Sequence, residues 1–125
     1  MLEIFKALAD ENRLRILNLL MNHSLCVCEL ETVLEMTQSN VSRHLAKLRS
    51  VGLISSSKDA QWIHYQYDPG FKGKQLIDFL KGNFEETKPY QKDLCRCRIY
   101  QESGYDCQTI RSDKDLVLSY IKSKM

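Results

Sequence analysis

Between Ser24 and Tyr67 the hydrophobic period switches once, from helical to alternating, and this leaves few folds open. Val27, Leu30, Val33 and Leu34 share one face of a helix that begins near Ser24–Cys26. Glu35-Met36-Thr37 interrupts it, and Thr37 caps a second helix running through Ser50, with Val41, Leu45 and Leu48 as its apolar stripe. Val51-Gly52 stops that helix. Leu53–Ser57 and Gln61–Tyr67 are then β-rich runs separated by Lys58-Asp59-Ala60, which predicts a hairpin. Two short helices joined by a three-residue turn and followed by a basic hairpin describe a winged helix-turn-helix.

The flanking sequence is helical. Leu2–Leu8 places Ile4, Phe5 and Leu8 at helical spacing, and Asp10 caps a run from Glu11 to Met21. Phe71–Phe84 is a fifth amphipathic stretch, broken at Lys88-Pro89. From Tyr90 onward the pattern is less regular. Ser112 followed by Asp115 resembles a capping box and predicts a last short helix from Asp113. The expected fold class is mainly α with a small β-hairpin. Residues 1–88 are expected to form a winged helix-turn-helix domain, and residues 89–125 a cysteine-containing C-terminal extension.

At 125 residues, with 43% hydrophobic side chains, the chain is long enough to bury a core. No apolar run approaches the ~20 residues that span a bilayer, and the N-terminus has no secretory pattern. The expectation is a cytoplasmic protein without a membrane partner, in a compartment where thiols stay reduced. No Cys–His or Ser–His pairing by motif, Gly-rich phosphate loop or conspicuous carboxylate pair points to an enzyme.

Charge is unevenly distributed. Residues 1–36 carry three basic and six acidic side chains, whereas 37–67 carry Arg43, Lys47, Arg49 and Lys58 against Asp59 alone. On the 37–50 helix, the side opposite the apolar stripe holds Ser39, Arg43, Ala46, Lys47 and Ser50, flanked by Asn40 and Ser42, with no acidic residue. Small side chains allow close approach to base edges, and Arg or Lys can bond guanine or phosphate. Gln38, Ser39 and Asn40 occupy the N-terminal turn, which reaches deepest into a major groove. His44 projects between core and solvent and is open to either role. Lys58, near the hairpin tip, is a candidate phosphate or minor-groove contact. Trp62 and Tyr65 suit the hairpin's own packing better than base stacking. A merely solvated helix face is the alternative, and the following hairpin weighs against it.

Five cysteines, an odd number in a reducing compartment, argue against a disulfide framework and for metal or redox chemistry. Cys26 and Cys28 open the 24–34 helix. Thiolates select soft ions such as As(III), Cd(II) and Zn(II). On an ideal helix a C-x-C pair diverges by ~200°, so joint capture of one ion is expected to unwind the helix start and displace its neighbour. The alternative is a pair of buried structural cysteines. Cys95, Cys97 and Cys107 lie in the extension. One or more of them is expected to complete the site, since trigonal As(III) needs three thiolates and tetrahedral Cd or Zn four. Otherwise Cys95 and Cys97 are an independent pair or plain tail thiols.

Ala9-Asp10-Glu11-Asn12-Arg13-Leu14-Arg15-Ile16-Leu17, Leu25-Cys26-Val27-Cys28-Glu29-Leu30, Ser39–Leu48 and Val51-Gly52-Leu53-Ile54 together resemble the ArsR/SmtB metalloregulatory repressors over residues 2–80. The resemblance implies a homodimer, built through its first and last core helices (here 2–8 and about 71–86). It implies a repressor that binds palindromic operator double-stranded DNA and leaves it when an inducer binds, with Cys26 and Cys28 as soft-ion ligands. It also sets departures. Where one type of arsenite sensor carries a third cysteine, Glu31 stands here. No cysteine precedes Cys26, and residues 71–88 hold no histidine for a zinc- or nickel-type site. The tail from Tyr90 has no counterpart in the family's common core.

The leading expectation is a transcriptional repressor released when arsenite, or another thiophilic ion such as Cd(II) or Zn(II), binds cysteine thiolates. A repressor of the same fold answering to thiol oxidation or persulfide is the first alternative, with Arg96 favouring a thiolate. A soft-metal trafficking protein is the second.

Overall fold

The computed structural model describes all residues 1–125. Eight helices and one hairpin follow in the order α1 (Leu2–Leu8), α2 (Glu11–Leu20), α3 (Val27–Leu34), α4 (Gln38–Ser50), β1 (Ile54–Asp59), β2 (Trp62–Tyr67), α5 (Lys74–Glu86), α6 (Lys88–Ser103), α7 (Cys107–Ser112) and α8 (Lys114–Lys124). The winged helix-turn-helix is as the sequence predicts. Asp10 caps α2 by accepting from the Arg13 N–H, and Thr37 caps α4 by accepting from the Asn40 N–H. Glu35 ends α3 in the left-handed region at φ 54°. β1 and β2 pair antiparallel from Ile54↔Tyr67 to Asp59↔Trp62, across a turn at Ala60-Gln61.

Ile16, Leu17, Leu19, Leu30, Val33, Val41, Leu45 and Leu48 are buried in one core. That core does not end at residue 88. Cys97, Tyr100, Ile110, Val117 and Ile121 belong to it, and α6 packs along α2 and α3. Where the sequence pattern shows only irregular tail, the chain forms a sixteen-residue helix, α6. Its burial depends on paired polar groups. Asp93 is almost fully buried and accepts from Arg15 Nε and a terminal nitrogen, at 2.8 and 3.0 Å. The Asn18 amide donates to Tyr90 O at 3.1 Å. The cap of α8 is Asp113, which accepts from Leu116 N–H, and not Ser112.

The two-toothed Arg15–Asp93 bond fixes α6 against α2. Replacing Asp93 with Ala leaves an unmatched guanidinium in a mostly closed site. Because Arg15 keeps a quarter of its side-chain surface, the cost falls below that of a fully buried pair, at about 2 kcal/mol. A urea unfolding midpoint lowered accordingly at unchanged slope is the expected result.

Candidate metal centre and nucleic-acid interface

Cys26 stands in extended backbone (φ −92°, ψ 171°) as the N-cap of α3, and Cys28 is the helix's second residue. The expectation that the pair must diverge is therefore corrected. Only Cys28 obeys the helical angle, and the two sulfurs lie 3.2 Å apart with α3 intact. The third sulfur comes from α7, whose first residue is Cys107. Asp106 caps that helix through the Thr109 N–H and fixes where Cys107 starts. The sulfurs of Cys26, Cys28 and Cys107 all lie within 4.8 Å of one another.

Cys26 and Cys107 are joined as a disulfide with S–S 2.06 Å, across 81 residues of sequence. The sequence argues against a disulfide framework, and the structure forms this one bridge, within the cysteine group expected to carry metal or redox chemistry. Two-electron reduction would return two thiols beside the free Cys28. The cluster has no imidazole, and its donors are sulfur alone, which suits a soft ion rather than a hard one. Burial, reinforced by the Glu29 and Glu31 charges, pushes the Cys28 thiol up to about 11.

The other two cysteines are elsewhere. Cys97 is fully buried in the core on α6, and burial pushes its thiol up to about 12. Cys95 sits beside the Met125 sulfur at 4.0 Å. Neither joins the three-sulfur group. Arg96 does not serve a thiolate either. Its Nε donates to Val33 O at 2.7 Å, and a terminal nitrogen lies 3.3 Å from Glu35 Oε2.

Sequence reading missed Glu29 and Tyr100. Glu29 is buried at the third position of α3, and its Oε1 accepts the Cys26 N–H at 3.0 Å while lying 3.3 Å from Cys26 Sγ. Its other oxygen accepts from the Tyr100 hydroxyl. Burial, with the neighbouring carboxylate, raises the Tyr100 phenol well above its ordinary value and keeps it a donor. The signal for Glu29 was its capping-box spacing from residue 26. Beside the sulfurs a cleft of about 440 Å3 opens, walled by Val27, Glu31, Trp62, Ile63 and Arg111.

On α4, Gln38, Ser39, Asn40, Ser42, Arg43 and Ala46 are exposed together. Asn40 Oδ1 accepts from Arg43 at 3.0 Å, which holds that guanidinium over the first turns. Lys47 is half-buried and pairs with Glu3 of α1 at 3.7 Å. Lys58 is exposed near the end of β1. His44 leaves the outward face. It is 2% exposed, and its Nδ1 lies 3.3 Å from Arg13. A guanidinium only donates, so Nδ1 accepts and the ring is neutral. Arg13 also donates to Ala7 O at 2.7 Å, so this group ties α1, α2 and α4 together and cannot reach a base.

The disulfide predicts a thiol count. Air-oxidised protein unfolded without reductant should show three reactive thiols, and five after reduction. The Cys107→Ser variant should show four under both conditions. Five thiols in the oxidised wild type would contradict the pairing.

The model of bacterial regulatory proteins of the arsR family matches residues 10–56. The chain is 48% identical over 110 residues to the arsenical resistance operon repressor of Escherichia coli, covering 85% of this chain and 94% of that protein. A match of that extent cannot fit within residues 1–88, so it runs into the α6–α8 region. The chain is 43% identical over 81 residues to the arsenic resistance transcriptional regulator ArsR1 of Pseudomonas putida, covering 63% of this chain and 62% of that one. The solved structure of reduced HlyU from Vibrio cholerae superposes with a TM-score of 0.56 at 40% identity, over 63% of this chain and 82% of that one. No helix is long and apolar enough to cross a membrane. The helix-turn-helix, wing and thiol group, with these relatives, place the chain in the arsR family of bacterial regulatory proteins: it is a DNA-binding, metal-responsive transcription regulator and not an enzyme.

Proposed function

We propose that the protein is an arsenite-responsive repressor, acting in the cytoplasm as a homodimer on operator DNA, with reduced Cys26, Cys28 and Cys107 as the inducer's ligands. The observation that carries this reading is the convergence of three sulfurs, from two helices, with no fourth donor of the same kind. Three thiols suit a trigonal ion. Arsenous acid condenses with them as As(OH)3 + 3 RSH → As(SR)3 + 3 H2O, forming three As–S bonds and releasing three waters with no change of charge. A divalent ion on three thiolates would leave a net negative group next to the buried Glu29 and the cleft residue Glu31. The electrostatics thus favour As(III) over Cd(II) or Zn(II). The arsenic regulators among the relatives point the same way.

The bridging sulfurs link the start of α3 to α7, and α3 in turn supports α4. Loading the site draws these elements to one spacing, which sets the pitch of the two reading helices in a dimer against two half-sites. Exposed Leu2, Phe5 and Phe79 lie on α1 and α5, and an apolar cleft of about 790 Å3 opens between these helices. This is the face offered to the second copy. Gln38, Ser39, Asn40, Ser42 and Arg43 read the groove, with Lys47 and Lys58 available to phosphate.

One observation favours a second reading, a thiol-redox switch. The Cys26–Cys107 disulfide makes the same α3–α7 link that an arsenic bridge would make. Arsenite added to reduced protein on operator DNA separates the two. Fluorescence anisotropy should show affinity falling by tenfold or more, with Cys26→Ser, Cys28→Ser and Cys107→Ser each blunting the loss and Cys95→Ser leaving it intact. Release by diamide but not by arsenite would favour the redox switch. Without inducer, log affinity should fall linearly with log salt, and Arg43→Ala should weaken binding and flatten that slope if Arg43 meets phosphate.

A further inference from the structure

The wing is fastened to the thiol group at two points. Near its base, Leu25, the residue before Cys26, exchanges backbone hydrogen bonds with β2. The Leu25 N–H donates to Tyr65 O at 3.0 Å, and the Tyr65 N–H donates to Leu25 O at 2.8 Å. Near its tip, the Arg111 guanidinium lies 5.4 Å from the centroid of the Trp62 ring. Trp62 pairs with Asp59 in the last rung before the turn. Arg111 follows Cys107 by four residues on the same six-residue helix, so both project from one face of α7. One short helix thus carries the sulfur that meets Cys26 and the cation that covers the wing's tryptophan. Arg111 and Trp62 both border the cleft beside the thiol group. Arg111 forms no ion pair that would give it another task.

We propose that Arg111 and Trp62 are positioning residues that carry the state of the thiol group to the tip of the wing. With Cys107 bonded towards α3, α7 is fixed and Arg111 holds Trp62, and with it the strand end that neighbours Lys58. With Cys107 released, α7 and the tip lose this common anchor and the hairpin is free to follow a DNA backbone. The proposal extends the sensor reading from the α4 helix to the wing. It requires only that Cys107 be bridged and unbridged, whether by arsenic or by oxidation. An exposed guanidinium over an indole accounts for about a two- to fivefold effect on an equilibrium.

Trp62 is the chain's one tryptophan, so its emission reports on the tip. The test compares the full chain reduced, reduced with arsenite, and oxidised with diamide, in wild type, Arg111→Ala and Arg111→Lys. Bound arsenic is measured after desalting. Wild type should change its Trp62 emission on at least one of the two treatments. Arg111→Ala should lose most of that change while binding as much arsenic, and Arg111→Lys should recover part of it. The factor by which bridging weakens operator binding should shrink about two- to fivefold in Arg111→Ala, with its thermal midpoint lowered by no more than a few degrees. An equal emission change in Arg111→Ala and wild type, or none in wild type under either treatment, overturns the coupling. If arsenite binds and releases operator while neither treatment moves Trp62, the coupling fails and the arsenite reading stands. If arsenite does not bind but oxidation moves Trp62 through Arg111, the arsenite reading fails and the coupling stands.

Discussion

Cys26 lies in extended backbone one residue before α3 begins, and the sensor geometry follows from that placement. Within the helix its sulfur would point ~200° away from that of Cys28. As the N-cap it comes to 3.2 Å. The position is held from both sides. The Glu29 carboxylate accepts the Cys26 N–H, while Leu25 is bound to β2 through two backbone hydrogen bonds. Glu29 is itself kept in place by the Tyr100 hydroxyl of α6. No unwinding is needed to bring two thiols together. The third arrives on α7.

The region after residue 88 therefore packs into the same body as the helix-turn-helix. Arg96 of α6 donates to Val33 O, and its guanidinium faces Glu35, the left-handed residue at the turn between α3 and α4. Lys122 of α8 reaches the same carboxylate at 3.4 Å. The turn that sets the angle between the two helices is thus braced by residues some sixty and ninety positions downstream. α7 packs on α3 and α8, the helices that carry Glu35's turn and Lys122.

The helix-turn-helix was legible because α2, α3 and α4 each bury an apolar stripe of helical period, and because Asp10 and Thr37 cap where the pattern begins. The wing, in which only Ile54 is buried, was legible from its β-rich residues on either side of a short break. α6 was not. Two of its buried residues, Asp93 and Arg96, are charged, and their burial depends on Arg15, Val33 and Glu35 far away in sequence. A hydrophobic period reads such residues as surface. α7 spans six residues, too few for any period to declare itself. His44 was ambiguous by projection because its partner, Arg13, lies on another helix. Among the thiols, Cys26 and Cys28 were marked out by thiol chemistry and the family motif, whereas helical spacing alone set them apart. The choice of Cys107 over Cys95 and Cys97 was not legible, since it depends on how α6 turns back at Gly104 to bring α7 over the start of α3.

On the proposed reading, three sulfurs from α3 and α7 form one site for a trigonal ion. Arsenic X-ray absorption on the reduced, arsenite-loaded protein counts those neighbours directly. Wild type should show a single shell of three sulfurs, unchanged in the Cys95→Ser, Cys97→Ser double variant and reduced to two sulfurs with an oxygen in Cys107→Ser. A three-sulfur shell that survives loss of Cys107, or one that disappears with the α6 cysteines, would contradict that reading.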